Sequence, residues 1–139
     1  MNNCIFCKII DGDIPAEKIY EDDHVLAFLD IHPVNPGHTL IIPKNKNSQN
    51  IFDIELPDWE HMSRATHMLA GAITKALNAD GINLRMNNRE HAGQVVYHPH
   101  IHLIPRFKGD GLIDWKGNSY KEGEAQEVLS KIKNELKYV

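Results

Sequence analysis

Hydrophobic and polar positions alternate with two different periods along the chain, and the switches between them outline its elements. Cys4-Ile5-Phe6-Cys7-Lys8-Ile9-Ile10 is an apolar run that predicts a short helix or turn stopped by Gly12. Short strands are expected over Glu17 to Glu21, His24 to Ile31 and His38 to Pro43. The second places Leu26 and Phe28 on one face and Ala27 and Leu29 on the other, as an internal strand does. Pro33, Pro36 and Gly37 mark a rigid loop before the third. The period then lengthens: from Pro57, Trp59, Met62, Ala65, Leu69, Ile73, Ala76 and Leu77 recur at three- and four-residue steps. This predicts an amphipathic helix to about Ala79, stopped by Asp80-Gly81. Period two returns over Ile82 to Asn87. A polar loop over Asn87 to Gln94 leads to a fifth strand, Val95 to Ile104. Leu112 to Tyr120 reads as irregular, and Glu122 to Leu136 as a C-terminal amphipathic helix.

These elements predict an α+β fold, an antiparallel sheet of about five strands with one long helix and a C-terminal helix against it. With 139 residues and no repeat or internal boundary, one domain over 1–139 is expected. Hydrophobic content of 42% and charged content of 24% fit a soluble globular protein. A net charge of -4 argues against nucleic acid as a partner. No apolar run is long enough to cross a membrane and nothing resembles a signal peptide, so a cytoplasmic location is the expectation.

The chemistry concentrates in the fifth strand. In His98-Pro99-His100-Ile101-His102-Leu103-Ile104, three histidines alternate with Pro99, Ile101 and Leu103. In an extended strand, successive side chains point to opposite faces, so all three imidazoles share one face. Pro99 brings no N–H to a ladder, so hydrogen-bonded pairing is expected to begin near His100. One histidine there would read as an ordinary structural residue. Three on a face are costly to bury unless each ring nitrogen finds a partner. The row reads either as metal ligands or as a nucleophile with supporting imidazoles. A metal-dependent hydrolase built on His98, His100 and His102 would recruit a nearby carboxylate, yet Arg106 follows instead. A nucleotide-binding module without turnover is the third reading. Cys4 and Cys7, the only cysteines, read as half a zinc site, a redox pair or two free thiols.

The histidine row resembles the signature of the histidine-triad (HIT) nucleotide-binding family. The likeness extends through Cys4 to Ile10, Leu29-Asp30-Ile31, Pro36-Gly37-His38, Ile41-Ile42-Pro43-Lys44, Asn87-Asn88, Ala92-Gly93-Gln94 and Ile104-Pro105-Arg106. Gly109-Asp110-Gly111 and Trp115-Lys116 resemble its bacterial branch, and the Cys-Ile-Phe-Cys head its small phosphoramidase-like members. The resemblance implies a homodimer whose two sheets continue into one, and attack on the α-phosphate of a nucleotide. His100 would be the nucleophile, forming a transient nucleotidyl-imidazole and releasing a nucleoside monophosphate. Purine nucleoside phosphoramidates are the expected substrates and dinucleoside polyphosphates the alternative. His102 would touch the scissile bridge and give a proton to the leaving group, while His98 and His38 would orient the others. Asp30 would take the ribose hydroxyls, and Phe6, Ile9, Phe28 and Ile31 the base. Taken singly, each of these apolar residues reads as ordinary core. Phosphate donors would be the N–H groups of Gly93, Gln94 and Val95 and the amide of Asn87.

The chain departs from the family pattern at three places. Val95 stands where a hydroxyl residue is common, removing a side-chain donor. Arg89 stands where a glycine often follows Asn87-Asn88, implying a stiffer loop or an added cation near the substrate. In the zinc-containing bacterial branch, the two cysteines join the first triad histidine and a later histidine, whose position here is Lys46. Cys4, Cys7 and His98 survive as ligands. Water, His24 or His32 could complete them, but a structural zinc is normally closed by four ligands, so no tightly held zinc is expected. Catalysis by the triad requires no cofactor.

Overall fold

The computed structural model describes residues 4–139. The chain runs α1 (Ile5–Asp11), β1 (Lys18–Glu21), β2 (Val25–Leu29), β3 (Thr39–Pro43), α2 (Leu56–Leu77), β4 (Gly81–Arg85), a 3-10 turn (Glu90–Ala92), β5 (Ile101–Arg106) and α3 (Glu124–Leu136). The five strands form one antiparallel sheet in the order β1-β2-β3-β5-β4, which matches the expected α+β architecture.

Period-two alternation in β2, β3 and β5 supplies both faces of the sheet with apolar side chains. Val25, Ala27, Ile41, Ile101 and Leu103 pack beneath Met62, Ala65, Leu69 and Ile73 of α2. Leu26, Phe28, Leu40 and Ile42 pack against Phe6 and Ile9 of α1 on the opposite face. Burying a side chain of this size stabilises the fold by about 1.5–3 kcal/mol. The three histidines lie on the α1 face, where His102 stands opposite Leu40 in the β3–β5 register.

Several boundaries differ from those expected. α2 stops at Leu77, earlier than Ala79, because Asn78 takes the left-handed conformation (φ 51°) and Ala79 N–H donates to Thr74 O at 3.0 Å. Gly81 therefore opens β4 rather than ending the helix. β5 begins at Ile101, not Val95. The pairing Ile41↔Ile101, continued by two residues, sets Pro43 opposite Pro99, and neither proline has an N–H for a ladder. α3 forms over the expected span but does not lie against the sheet: none of its residues is buried, and Leu129, Ile132 and Leu136 are exposed. No helix among the described residues is long and apolar enough to cross a membrane.

Gly37 ends the proline loop at φ +90°, in the left-handed region that favours glycine. A Cβ there would overlap Leu77 of α2 and lie 3.2 Å from Pro105 Cγ. Leu77 is partly exposed and can swing aside; the backbone conformation cannot be relieved in this way. Gly37→Ala should lower stability by about 2 kcal/mol, read as a lower denaturant midpoint at unchanged slope. An unchanged midpoint would mean that the loop relaxes freely at this position.

Candidate active site

Each imidazole of the row is held by a hydrogen bond whose direction follows from the fixed chemistry of its partner. His100 Nδ1 lies 2.7 Å from the carbonyl of His98. A carbonyl only accepts, so Nδ1 carries the proton and Nε2 keeps a free lone pair. His98 Nε2 likewise donates to Pro43 O at 2.8 Å, which leaves its Nδ1 lone pair facing the two cysteines. Val34 N–H donates to His38 Nδ1 at 3.1 Å, so the His38 proton sits on Nε2. That nitrogen meets His102 Nδ1 at 2.9 Å and donates to it. The remaining His102 proton is therefore on Nε2. The site presents an imidazole lone pair on His100 beside an N–H donor on His102, with ring centroids 4.9 Å apart.

Electrostatics keep the rings neutral. Burial pushes the imidazoles of His38, His98 and His100 below their ordinary range. Burial, reinforced by the His100 and His38 rings, brings His102 down to about 4. A neutral imidazole is the nucleophilic form, which suits His100. It does not suit His102 as a proton source. A proton on Nδ1 of His102 would reverse the bond from His38 and drive His38 Nδ1–H against Val34 N–H. In this resting state His102 offers its neutral Nε2–H as a hydrogen-bond donor.

The expected nucleoside residues are distributed unevenly. Asp30 lies beside the histidines: its Oδ2 is 3.7 Å from His38 Nε2 and its Oδ1 accepts from His32 N–H. Asp30 N–H donates to His38 O at 2.9 Å, which closes the proline loop and fixes this juxtaposition. Phe6 packs edge-on against His100, with centroids 5.2 Å apart, and against Phe28. Phe6, Ile9 and Phe28 are buried members of the α1-side core, whereas Ile31 is 79% exposed.

The expected phosphate donors need correction. Gly93, at φ 84°, closes the 3-10 turn, so its N–H is spent on Glu90 O and that of Gln94 on Arg89 O. Gln94 is a buried staple: its amide takes Arg89 N–H and donates to the carbonyls of Gln49 and Val96. Asn87 likewise gives one amide hydrogen to Gly93 O and accepts from Arg85. The Val95 N–H takes no part in these bonds, and Val95 is 86% exposed. Arg89 holds φ 72° and ψ 165°, a region essentially reserved for glycine and costing about 1–3 kcal/mol. Its guanidinium stacks over Phe52 at 4.3 Å. Sequence reasoning missed Val34, Pro43 and the staple role of Gln94. The first two act through backbone atoms, which residue identity does not advertise.

Among the described residues, the groupings able to hold a metal are Cys4–Cys7–His98 and Asp30–His38–His102. His98, His100 and His102 do not converge on one point, against the metal-hydrolase reading. Cys4 Sγ and Cys7 Sγ lie 3.8 and 3.7 Å from His98 Nδ1. Bond lengths of about 2.3 Å to sulfur and 2.0–2.1 Å to nitrogen at a tetrahedral zinc put such atoms about 3.6 Å apart, so these three donors fit the ion. Lys46 does not: a protonated amine has no lone pair, and its ammonium pairs with Asp11. Neither His24 nor His32 belongs to the group. Burial and the neighbouring Cys4 raise the Cys7 thiol to about 11, so metal capture would release its proton.

Comparison with known proteins agrees with this geometry. Residues 11–109 match the HIT domain. The chain is 46% identical over 138 residues to "Protein hit" of Bacillus subtilis, covering 96% of this chain and 94% of that one. It is 38% identical over 149 residues to the adenylylsulfatase HINT3 of Arabidopsis thaliana, covering 97% of this chain and 70% of that protein. The crystal structure of a histidine triad nucleotide-binding protein from Candida albicans superposes with a TM-score of 0.86 at 31% identity, covering 98% and 99% of the two chains. With its three alternating imidazoles on one sheet face and these likenesses along almost its whole length, the chain belongs to the HIT family.

Proposed function

We propose that this protein is a nucleotide hydrolase or transferase that works through a covalent nucleotidyl-His100 intermediate and releases a nucleoside monophosphate. The observation that carries the reading is the bond from His100 Nδ1 to the His98 carbonyl, which reserves the Nε2 lone pair for a ligand. That lone pair attacks the α-phosphorus of a purine nucleotide, and the bond to the leaving group breaks. The His98 carbonyl stabilises the resulting phosphoryl-imidazolium through Nδ1–H. His102 Nε2–H steadies the charge gathering on the departing atom. Water then attacks phosphorus, the P–N bond to His100 breaks, its electron pair returns to Nε2, and the water's proton passes to solvent. Asp30 accepts from the ribose hydroxyls, and Val95 N–H, the one of the three expected backbone donors not spent within the loop, donates to a phosphate oxygen.

Two leaving groups merit test. The resemblance favours an amine, as in purine nucleoside phosphoramidates; an amine must collect a proton as it departs. The neutral lock on His102 and the similarity to an adenylylsulfatase favour a group such as sulfate, which leaves as a stable anion. We also propose a homodimer formed through β4, one of the two edge strands of the sheet, where Leu84 is exposed.

Mass spectrometry of protein quenched without acid should detect a nucleoside monophosphate adduct on the wild type and none on His100→Ala, with turnover lost by about 10³-fold or more. Turnover that survives in His100→Ala would rule out this nucleophile. With either substrate, kcat/KM should hold as pH falls through about 6.5, the ordinary imidazole value. It should drop only below that, because burial makes His100 harder to protonate. An acid limb centred at or above 6.5 would contradict the neutral buried ring. Above neutrality, cleavage of an adenosine phosphoramidate should weaken with rising pH while that of adenylyl sulfate stays level. Parallel profiles would show that leaving-group protonation does not limit the reaction.

A further inference from the structure

The cysteine pair and His98 line a cavity of about 770 Å³, bordered also by Lys8, Lys46, Ser48 and Tyr97, to which His100 does not contribute. We propose that Cys4, Cys7 and His98 form an open metal site. Three protein donors hold a divalent cation of the zinc type, and its fourth position is left to a water or small anion from this cavity.

Three independent features support an ion at the donors. Their sulfur–nitrogen spacings of 3.8 and 3.7 Å suit a tetrahedral centre. The Pro43 carbonyl fixes the His98 proton on Nε2 and turns the Nδ1 lone pair inward, the usual arrangement behind a ligating imidazole. Cys4 caps α1, and its sulfur accepts Cys7 N–H at 3.2 Å, which orients the sulfur.

The fourth position is where this chain is distinctive. Lys46 offers an ammonium, which cannot ligate, and its ion pair with Asp11 engages the nearby carboxylate. His24 is stacked face to face on His61 at 3.7 Å, outside the donor group. A zinc site with three protein ligands and one exchangeable position has the form of reactive centres, not closed structural ones. The cavity carries its own sign of an occupant. Ser48 Oγ, buried on the cavity wall, is the one buried side-chain polar atom without a hydrogen-bond partner among the described residues. A bound water or small anion would satisfy it, and the lining charges, Lys8 and Lys46 against Asp11 and Asp13, balance.

Cobalt(II) serves as the probe, titrated into chelator-treated full-length protein. One equivalent should produce a thiolate-to-metal charge-transfer band in the near ultraviolet and the visible bands of four-coordinate cobalt. Azide should shift those visible bands in the wild type. In Lys46→His the new imidazole closes the site, so azide should have no effect and zinc should bind more tightly. Competition with a chromophoric chelator should put that gain above the roughly tenfold that an outer hydrogen-bond partner is worth. Asp11→Asn should keep the wild-type azide response. Absence of the charge-transfer band at stoichiometric cobalt would overturn the proposal. So would a wild-type spectrum indifferent to azide, including one that becomes responsive only in Asp11→Asn, since a protein carboxylate would then fill the fourth position.

Discussion

The structure depends on how protons are distributed among four imidazoles in a space that water barely reaches. A buried ring cannot choose its tautomer freely, because each nitrogen must meet a partner of the opposite kind. Here backbone atoms make the choice. Val34 N–H forces His38 to donate from Nε2, and His38 forces His102 to accept at Nδ1. The His98 and Pro43 carbonyls force His100 and His98 to give up one proton each. Burial lowers the proton affinity of all four, so the pattern holds at neutral pH. The nucleophile's free lone pair is thus a consequence of main-chain geometry.

That geometry is supported by the sheet. β5 lies between β3 and β4, with apolar layers on both faces, so its side chains have little freedom to reorient. Ile101 and Leu103 anchor it under α2 and leave the histidines to the α1 face. Where the β3–β5 ladder fails for want of proline N–H groups, the His98 side chain takes the Pro43 carbonyl. The interruption at Pro99 and Pro43 is thereby used: it frees a carbonyl to orient His98, and His98 in turn offers its own carbonyl to His100.

The loop before β5 illustrates a different economy of hydrogen bonds. Gln94 ties together Arg89, Gln49 and Val96, and its bond to Arg89 N–H holds that residue in a conformation suited to glycine. Such strain persists only where surrounding contacts over-determine the backbone. The guanidinium over Phe52 adds one more tether. The result is a stiff approach to the site in which the Gly93 and Gln94 amides serve the loop itself.

The sequence by itself determined what local periodicity can encode. Alternation placed His98, His100 and His102 on one face, and the three-and-four spacing from Trp59 to Leu77 drew α2. These follow from nearest neighbours and their geometry. Tertiary structure decided where elements end and what their polar atoms meet. It stopped α2 at Asn78, delayed β5 to Ile101 and left α3 without a buried face. It also brought Val34 to His38 and Pro43 to His98, pairs whose contacts run through backbone groups common to most residues. Side-chain pattern is written in the sequence, whereas the partner of a buried N–H or carbonyl is fixed only when distant segments pack.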